Sequence, residues 1–266
     1  MKERIVANLP NTFPWMKTIH YFDTIGSTND EARRMAKSGA PHGTVLIAGQ
    51  QTGGHGRRGR SFHSPAGSGI YMSVLLRPDC APTELMHLTC AVAVAMCDAV
   101  EQAVGFRPGI KCTNDLVSGK RKLGGILTEL GLSAKGTVDY TIIGIGINCC
   151  HKEEDFSPEI RDIAASLAMV TGTEINRARV AGAMMDSLFK MDQILLTEKS
   201  AILDRYRKNC ITIGHEVSLL RVGEEVRHGK AVGMDDEGAL LVTFPDGHTE
   251  AVNSGEVSVR GLFGYV

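Results

Sequence analysis

A long polar excursion between two apolar runs most limits the folds open to this chain. Residues 44–48 read as a buried strand, and residues 70–76 as the strand that takes the chain out again. Between them stands Gly53-Gly54-His55-Gly56-Arg57-Arg58-Gly59-Arg60-Ser61-Phe62. Four glycines, three arginines and a histidine in ten residues show no hydrophobic periodicity, so this stretch cannot bury a face as helix or strand. A loop of this length inside a domain is expected to be functional or disordered. Glycine lets backbone approach a ligand closely, and each arginine presents a fixed fork of donors to phosphate or carboxylate oxygens. The segment therefore reads as an anion-handling loop, with a solvated connection or a nucleic-acid patch as the plainer alternatives. It is not a Walker loop, because no Gly-Lys-Ser/Thr follows. Nor is it half of a zinc site, because His55 and His63 lack Cys or His partners at ligand spacing.

The chain of 266 residues, 43% of them hydrophobic, is long enough for one large and one small domain with a buried core. Lys and Arg number 29 against 30 Asp and Glu, a net charge of -1, so no global field favours nucleic acid or a membrane. Seven cysteines, odd in number and without a C-x-x-C, read as reduced core thiols of a cytoplasmic protein. The N-terminus lacks a long apolar run. The most apolar helix-like stretch, residues 85–104, is interrupted by His87, Asp98, Glu101 and Gln102, so neither a signal peptide nor a membrane span is expected.

Residues 19–22 look like a strand, followed by a helix opened by Ser27-Thr28-Asn29. Thr28 and Glu31 have the spacing of a capping box, and Gly39 marks the end. A helix over residues 83–104 carries Leu85, Leu88, Val92, Met96 and Val100 on one stripe, a core face. Residues 110–117 read as one strand and 118–121 as a hairpin turn, with the return strand over 122–130. Lys122 thus sits where a polar turn passes into an apolar strand; on local grounds it is a solvated edge lysine. Residues 137–147 form a further strand, ending Gly144-Ile145-Gly146-Ile147-Asn148, whose glycines leave backbone exposed. Helices are expected over 163–171, 177–196 and 200–208. Five short strand-like runs after residue 214, separated by Gly/Asp turns, have the spacing of a small β-barrel.

From about residue 19 onward the chain resembles the biotin protein ligases, also called biotin–acetyl-CoA-carboxylase ligases. Ser27-Thr28-Asn29 matches the family's S-T-N, and residues 51–60, from Gln51 to Arg60, match its Q-x-x-G-R-G-R-x-G-R loop. Lys111-Cys112-Thr113-Asn114-Asp115 matches K-W-P-N-D, residues 121–129 match R-K-x-x-G-I-L-x-E, and residues 144–148 match G-x-G-I-N. Two positions depart: His55 stands where arginine is usual, and Cys112-Thr113 replaces Trp-Pro. The resemblance implies an α+β chain, a mixed β-sheet catalytic domain packed with helices over residues 1–212 and a small SH3-like β-barrel over 213–266.

It also implies a two-step reaction in which biotin and ATP give biotinyl-5'-AMP, whose acyl group then passes to one lysine of a biotin carboxyl carrier protein or a carboxylase's biotinyl domain. Arg57 and Lys122 become the implied catalytic cations, bridging carboxylate and α-phosphate. The implied biotin site is Ser27, Thr28, Asn29, Gln51, His55, Gly56, Arg57, Lys122, Gly124 and Gly125, with Ile126 and Leu127 as apolar walls. The implied ATP site is Arg57, Arg58, Arg60, Phe62, Asn114, Asp115, Lys122 and Asn148, with Phe62 stacked on adenine and Mg²⁺ held mainly by the ATP phosphates. The loop is expected to close over the adenylate and keep water out. Only 18 residues precede the first expected strand, which leaves no room for a winged helix-turn-helix. A ligase-only protein is expected, with no DNA or membrane partner and with a homodimer left open. The alternatives are a lipoate or octanoate ligase or transferase on a related fold and, from another class, a nucleic-acid-binding module.

Overall fold

The two apolar runs that bracket the Gly/Arg loop pair with each other. In the computed structural model, which describes residues 1–220, 225–253 and the backbone of 258–261, β1 (Ile19–Phe22) lies parallel to β2 (Thr44–Ala48). β2 in turn lies antiparallel to β3 (Gly69–Leu76), with Val45 opposite Val74. The chain continues through β4 (Gly109–Lys111), β5 (Asp115–Ser118), β6 (Arg121–Leu132) and β7 (Val138–Asn148). These seven strands form one mixed sheet in the order β1-β2-β3-β7-β6-β5-β4.

Alternation along β2 and β3 serves two cores. Val45, Ile47, Met72 and Val74 face the larger one, while Leu46 and Leu75 join Ala32, Ala36, Tyr140 and Ile142 beneath α2 (Thr28–Lys37). Both strands are buried throughout, as expected of a sheet covered on both faces. The larger core lies under α3 (Leu88–Val104), α5 (Arg177–Ile194) and α6 (Lys199–Asn209). The stretch Pro82–Val104 is apolar and long enough to cross a membrane, yet 72% of its most apolar window is buried in the fold. Leu85, Leu88, Val92, Met96 and Val100 are all buried, and Gly105 closes α3 in the left-handed conformation, φ 71°, the usual helix stop.

Several local expectations are corrected. Residues 110–117 are two antiparallel strands, β4 and β5, folded back at Cys112-Thr113-Asn114 with Lys111 opposite Asp115. The polar turn residues find partners outside any ladder: Tyr206 donates to the Thr113 carbonyl, and the Asn114 amide donates to the Ile126 carbonyl. Ser27, and not Thr28, is the N-cap of α2, accepting from the Asp30 amide at 3.4 Å. The helix expected from residue 83 starts as a short 3-10 turn, Pro82–Leu85, before α3 begins at Leu88. That expected from residue 163 begins only at α4 (Leu167–Thr171), capped by Ser166. Residues 163–165 instead pair with β6, Lys122 donating to the Ile163 carbonyl and Ala165 to that of Lys122.

The C-terminal runs are β8 (Glu216–Leu220), β9 (Arg227–Met234), β10 (Leu240–Thr243), β11 (Thr249–Val252) and β12 (Ser258–Gly261). Among the described residues they form an antiparallel five-stranded sheet in the order β11-β10-β9-β8-β12, without the pairing that would close a barrel. Arg207 of α6 grips this sheet, donating to the carbonyls of Met234 and Asp235 and to Asp236.

Ahead of β1, α1 (Lys2–Val6) and residues 7–18 pack on α5, with Ile5, Leu9, Phe13 and Trp15 buried. Trp15 lies edge-on to Phe13 and Phe189. Gly43 makes room for the indole: its φ is 74°, and a Cβ there would sit 2.1 Å from Trp15 Cδ1. Gly43→Ala should cost about 3 kcal/mol through overpacking on top of backbone strain. Gly39→Ala, with φ 83° but open space around it, should cost only about 1 kcal/mol. Equal losses in urea denaturation would show that the indole contact does not matter.

His151, just past β7, is 1% exposed and stacks on Phe156 at 5.1 Å. Both ring nitrogens lack a partner among the described residues. Burial pushes its pKa down to about 4, against the opposing pull of Asp155. The unfolded chain therefore binds a proton that the fold refuses. Its contribution is complete above about pH 6.5 and is lost as pH falls toward 4, up to about 3 kcal/mol. His151→Phe should flatten stability over that window; an unchanged pH slope would remove His151 as the cause.

Candidate active site

Glycines make the floor of a cleft on the α2 side of the sheet. A Cβ at Gly144 would lie 2.1 Å from Asn29 Oδ1, and one at Gly146 would lie 2.4 Å from the Phe62 ring. Only glycine lets those side chains sit directly on β7. Gly125, Ile126 and Leu127 of β6 continue the floor. The cleft spans about 490 Å³ counted out through its open mouth into solvent.

One wall is the start of α2. Thr28 donates through its amide and hydroxyl to Gln51 Oε1, at 2.8 and 3.0 Å. Gln51 Nε2 donates to Ser64 Oγ, which donates to the Phe62 carbonyl. Ser73 Oγ lies 2.7 Å from Thr28 Oγ1 and 2.6 Å from Asn29 Oδ1, and Asn29 Nδ2 donates to Glu129 Oε2 at 2.7 Å. Both ends of the Gly/Arg loop are thus tied to one buried polar lattice, and such lattices specify geometry when every group is paired.

The loop itself folds as a narrow hairpin. His55 pairs with Ser61, Phe62 N donates to the Gly54 carbonyl, and Gly56 N to that of Arg60. At the tip Arg58 and Gly59 adopt φ of 58° and 71°, a conformation arginine rarely takes. Three side chains attach the hairpin to three elements. His55 Nε2 lies 2.7 Å from Asp30 Oδ2 on α2. Arg57 Nη1 donates to Asn114 Oδ1 at 2.7 Å and Thr113 Oγ1 at 3.1 Å in the β4–β5 turn. Arg58 Nη1 donates to the Leu220 carbonyl of β8 at 3.1 Å.

Arg57 and Lys122 both line the cleft. Burial holds the Arg57 guanidinium below its ordinary range, with Asp115 opposing, yet a guanidinium stays charged at any physiological pH. Its acceptors Thr113 Oγ1 and Asn114 Oδ1 are neutral. Lys122 Nζ lies 2.6 Å from Asp115 Oδ1, the two side chains 26% and 13% exposed. One carboxylate thus stands beside two enclosed cations, and an enclosed excess of positive charge favours an anion there.

Of the residues picked out in the sequence, Ser27, Thr28, Asn29, Gln51, His55 and Gly56 come together at the cleft, as do Arg57, Phe62, Asn114, Lys122 and Gly125. Others stand apart from its lining. Gly124 is pressed against the Gly146 carbonyl, Asp115 stands behind Lys122, and Arg58 reaches β8. Arg60 is exposed, and the buried Asn148 amide donates to the Ala165 carbonyl. The sequence reading assigned no site role to Gly144, Ile145 and Gly146 of the floor, or to Ser64, Ser73, Asp30, Arg33 and Glu129 behind the walls. The alternate glycines of β7 were the visible signal for the floor; the polar residues behind it had none without the register of the sheet. Among the described residues no group of three or more His, Cys, Asp or Glu is arranged to hold a metal ion.

The chain matches the biotin/lipoate A/B protein ligase family over residues 21–148 and the biotin protein ligase C terminal domain over residues 212–260. The bifunctional ligase/repressor BirA of Bacillus subtilis (strain 168) is 36% identical over 228 residues, 85% of this chain and 70% of that protein. The biotin–[acetyl-CoA-carboxylase] ligase of Mycobacterium tuberculosis is 30% identical over 237 residues, 87% of this chain and 85% of that one. Among solved structures, the biotin protein ligase from Aquifex aeolicus in complex with biotin and ATP aligns with a TM-score of 0.77 and 29% identity, covering 92% of this chain and 99% of the other.

Proposed function

Because the chain belongs to the biotin protein ligase family, we propose that it joins biotin to one lysine of an acceptor protein at the expense of ATP. The observation that carries this reading is the pair of enclosed cations, Arg57 and Lys122, in a glycine-floored cleft beneath a loop. In the first step a biotin carboxylate oxygen attacks the α-phosphorus of ATP and pyrophosphate leaves. Two anions must meet, and fixed cations in a site shielded from water offset that repulsion and stabilise the charge of the transition state. In the second step the unprotonated lysine amine of the acceptor attacks the acyl carbon, and AMP leaves with the bonding electrons.

The lattice at α2 supports the same reading. Biotin's ureido group is polar on both sides and needs partners when buried, a part we assign to Ser27, Thr28 and Gln51 of the cleft lining. Asn29 is committed to Glu129 and Ser73, so its part is to hold the wall in shape. Ile126, Leu127 and Ile145 suit the aliphatic tail. On the nucleotide side Phe62 supplies a ring, while Asn114 and Asp115 hold Arg57 and Lys122 in place. Magnesium would travel with the triphosphate and neutralise its charge, which fits a cleft without a cluster of metal-ligating side chains among the described residues.

We take residues 1–212 as the catalytic unit and 213–266 as the second. The acceptor proposed is a biotin carboxyl carrier protein or the biotinyl domain of a carboxylase. Seven unpaired thiols are in keeping with a reducing, cytoplasmic setting.

Lys122→Ala should lower biotin-dependent pyrophosphate release at least about a hundredfold, the scale of losing one preorganised charge at a reacting phosphate. The far-ultraviolet spectrum should stay native. Near-normal release from the folded variant would overturn the role of Lys122. Release with lipoate in place of biotin would redirect the whole reading toward a lipoate ligase.

A further inference from the structure

Asp30 stands outside the motif residues, on the first turn of α2, and its carboxylate is divided between two partners. Oδ1 accepts from Arg33 Nη1 at 2.7 Å and Oδ2 faces His55 Nε2 at 2.7 Å. Arg33 also donates to Glu129 Oε1 at 2.5 Å, and Glu129 Oε2 accepts from Asn29. An unbroken run of side chains therefore links the Gly/Arg loop to strand β6 through His55, Asp30, Arg33 and Glu129. Burial alone would raise the Asp30 carboxyl, but the bonds from His55 and Arg33 outweigh it and hold the group below the ordinary carboxylate range. Asp30 is then charged wherever the enzyme works.

We propose that Asp30 is a positioning residue that latches the Gly/Arg loop over the cleft through His55. The role rests on the ligase reading above and goes beyond it, because Asp30 is itself outside the cleft lining and acts through His55, which is part of it. Neither of the other two attachments can replace it. The contacts of Arg57 with Asn114 and Thr113 belong to a side chain that must also face phosphate, and that of Arg58 leads to the other sheet. Asp30 fixes the middle of the loop, through His55, to the helix whose first residues form the biotin wall. Its neighbour Glu31 shares the helix N-terminus but turns to Arg34, so any effect through the helix dipole would appear at both positions.

The latch is half exposed, His55 at 50% and Asp30 at 47%, so it shifts the loop equilibrium by up to about fivefold. A loop that is closed less often lowers apparent affinity by the lost fraction, while saturating ligand restores closure. The effect therefore falls on KM for biotin and spares kcat.

The test compares wild type with Asp30→Asn, His55→Phe, the double variant and Glu31→Gln. Hydrogen exchange of residues 53–63 without ligand should rise up to about fivefold in each of the first two variants and no further in the double. Glu31→Gln should match wild type. Pyrophosphate release should show KM for biotin raised in Asp30→Asn only by the closed fraction lost, less than about twofold, at near-constant kcat, with recovery in Asp30→Glu. Wild-type loop exchange in Asp30→Asn, additive effects in the double variant, or an equal effect of Glu31→Gln would overturn the latch. If wild type released no pyrophosphate with biotin, the ligase reading would fall, and the ligand-free exchange would still decide the latch.

Discussion

Two positive charges held in a half-enclosed cleft are the constraint on which the rest of this structure depends. Removing a charge from water is costly unless it is paired, and here a single carboxylate, Asp115, stands beside both Arg57 and Lys122. What keeps the lysine in place is backbone. Lys122 is flanked by β5 on one side, opposite Val117, and by residues 163–165 on the other. A lysine next to a hairpin turn would otherwise sit at a frayed, solvated edge. The extended segment after β7 removes that edge, so the ammonium is aimed inward by hydrogen bonds its own side chain does not make.

The glycines work with the charges. Removing side chains from Gly144 and Gly146 lets Asn29 and Phe62 rest on bare backbone, which brings the α2 wall and the loop down to the level of the two cations. A larger residue at either position would lift one wall, and a site that separates two charges from water works only if its walls meet.

Legibility in the sequence follows the range of the forces involved. β2, β3 and β7 were plain because a strand covered on both faces must be apolar throughout, and the loop between β2 and β3 was plain because nothing in it can be buried. The fold-back at Cys112-Thr113-Asn114 was hidden. It depends on Tyr206, Arg57 and Ile126, which are remote in sequence. Capping of α2 was misread by one residue for a similar reason: Thr28 has the right spacing to Glu31, but Gln51 takes its hydroxyl and amide. The motif residues were found where the motif itself reaches the cleft. Arg58 and Asn148 were not placed, since their partners, Leu220 and Ala165, lie in other elements.

The loop is held weakly by design of its contacts. Its side-chain attachments include a half-exposed pair at His55, neutral acceptors for Arg57 and the Leu220 carbonyl for Arg58. Each contributes on the order of 0.5–1 kcal/mol, and four glycines in ten residues oppose ordering through their conformational entropy. The balance leaves an open population on the order of a few per cent, enough to admit substrates quickly. A tighter hairpin would protect the acyl-adenylate better from water but would also shut out the acceptor lysine that has to reach it. On the proposed reading one segment must meet both demands, with arginine able to close it over an anion and glycine keeping that closure reversible.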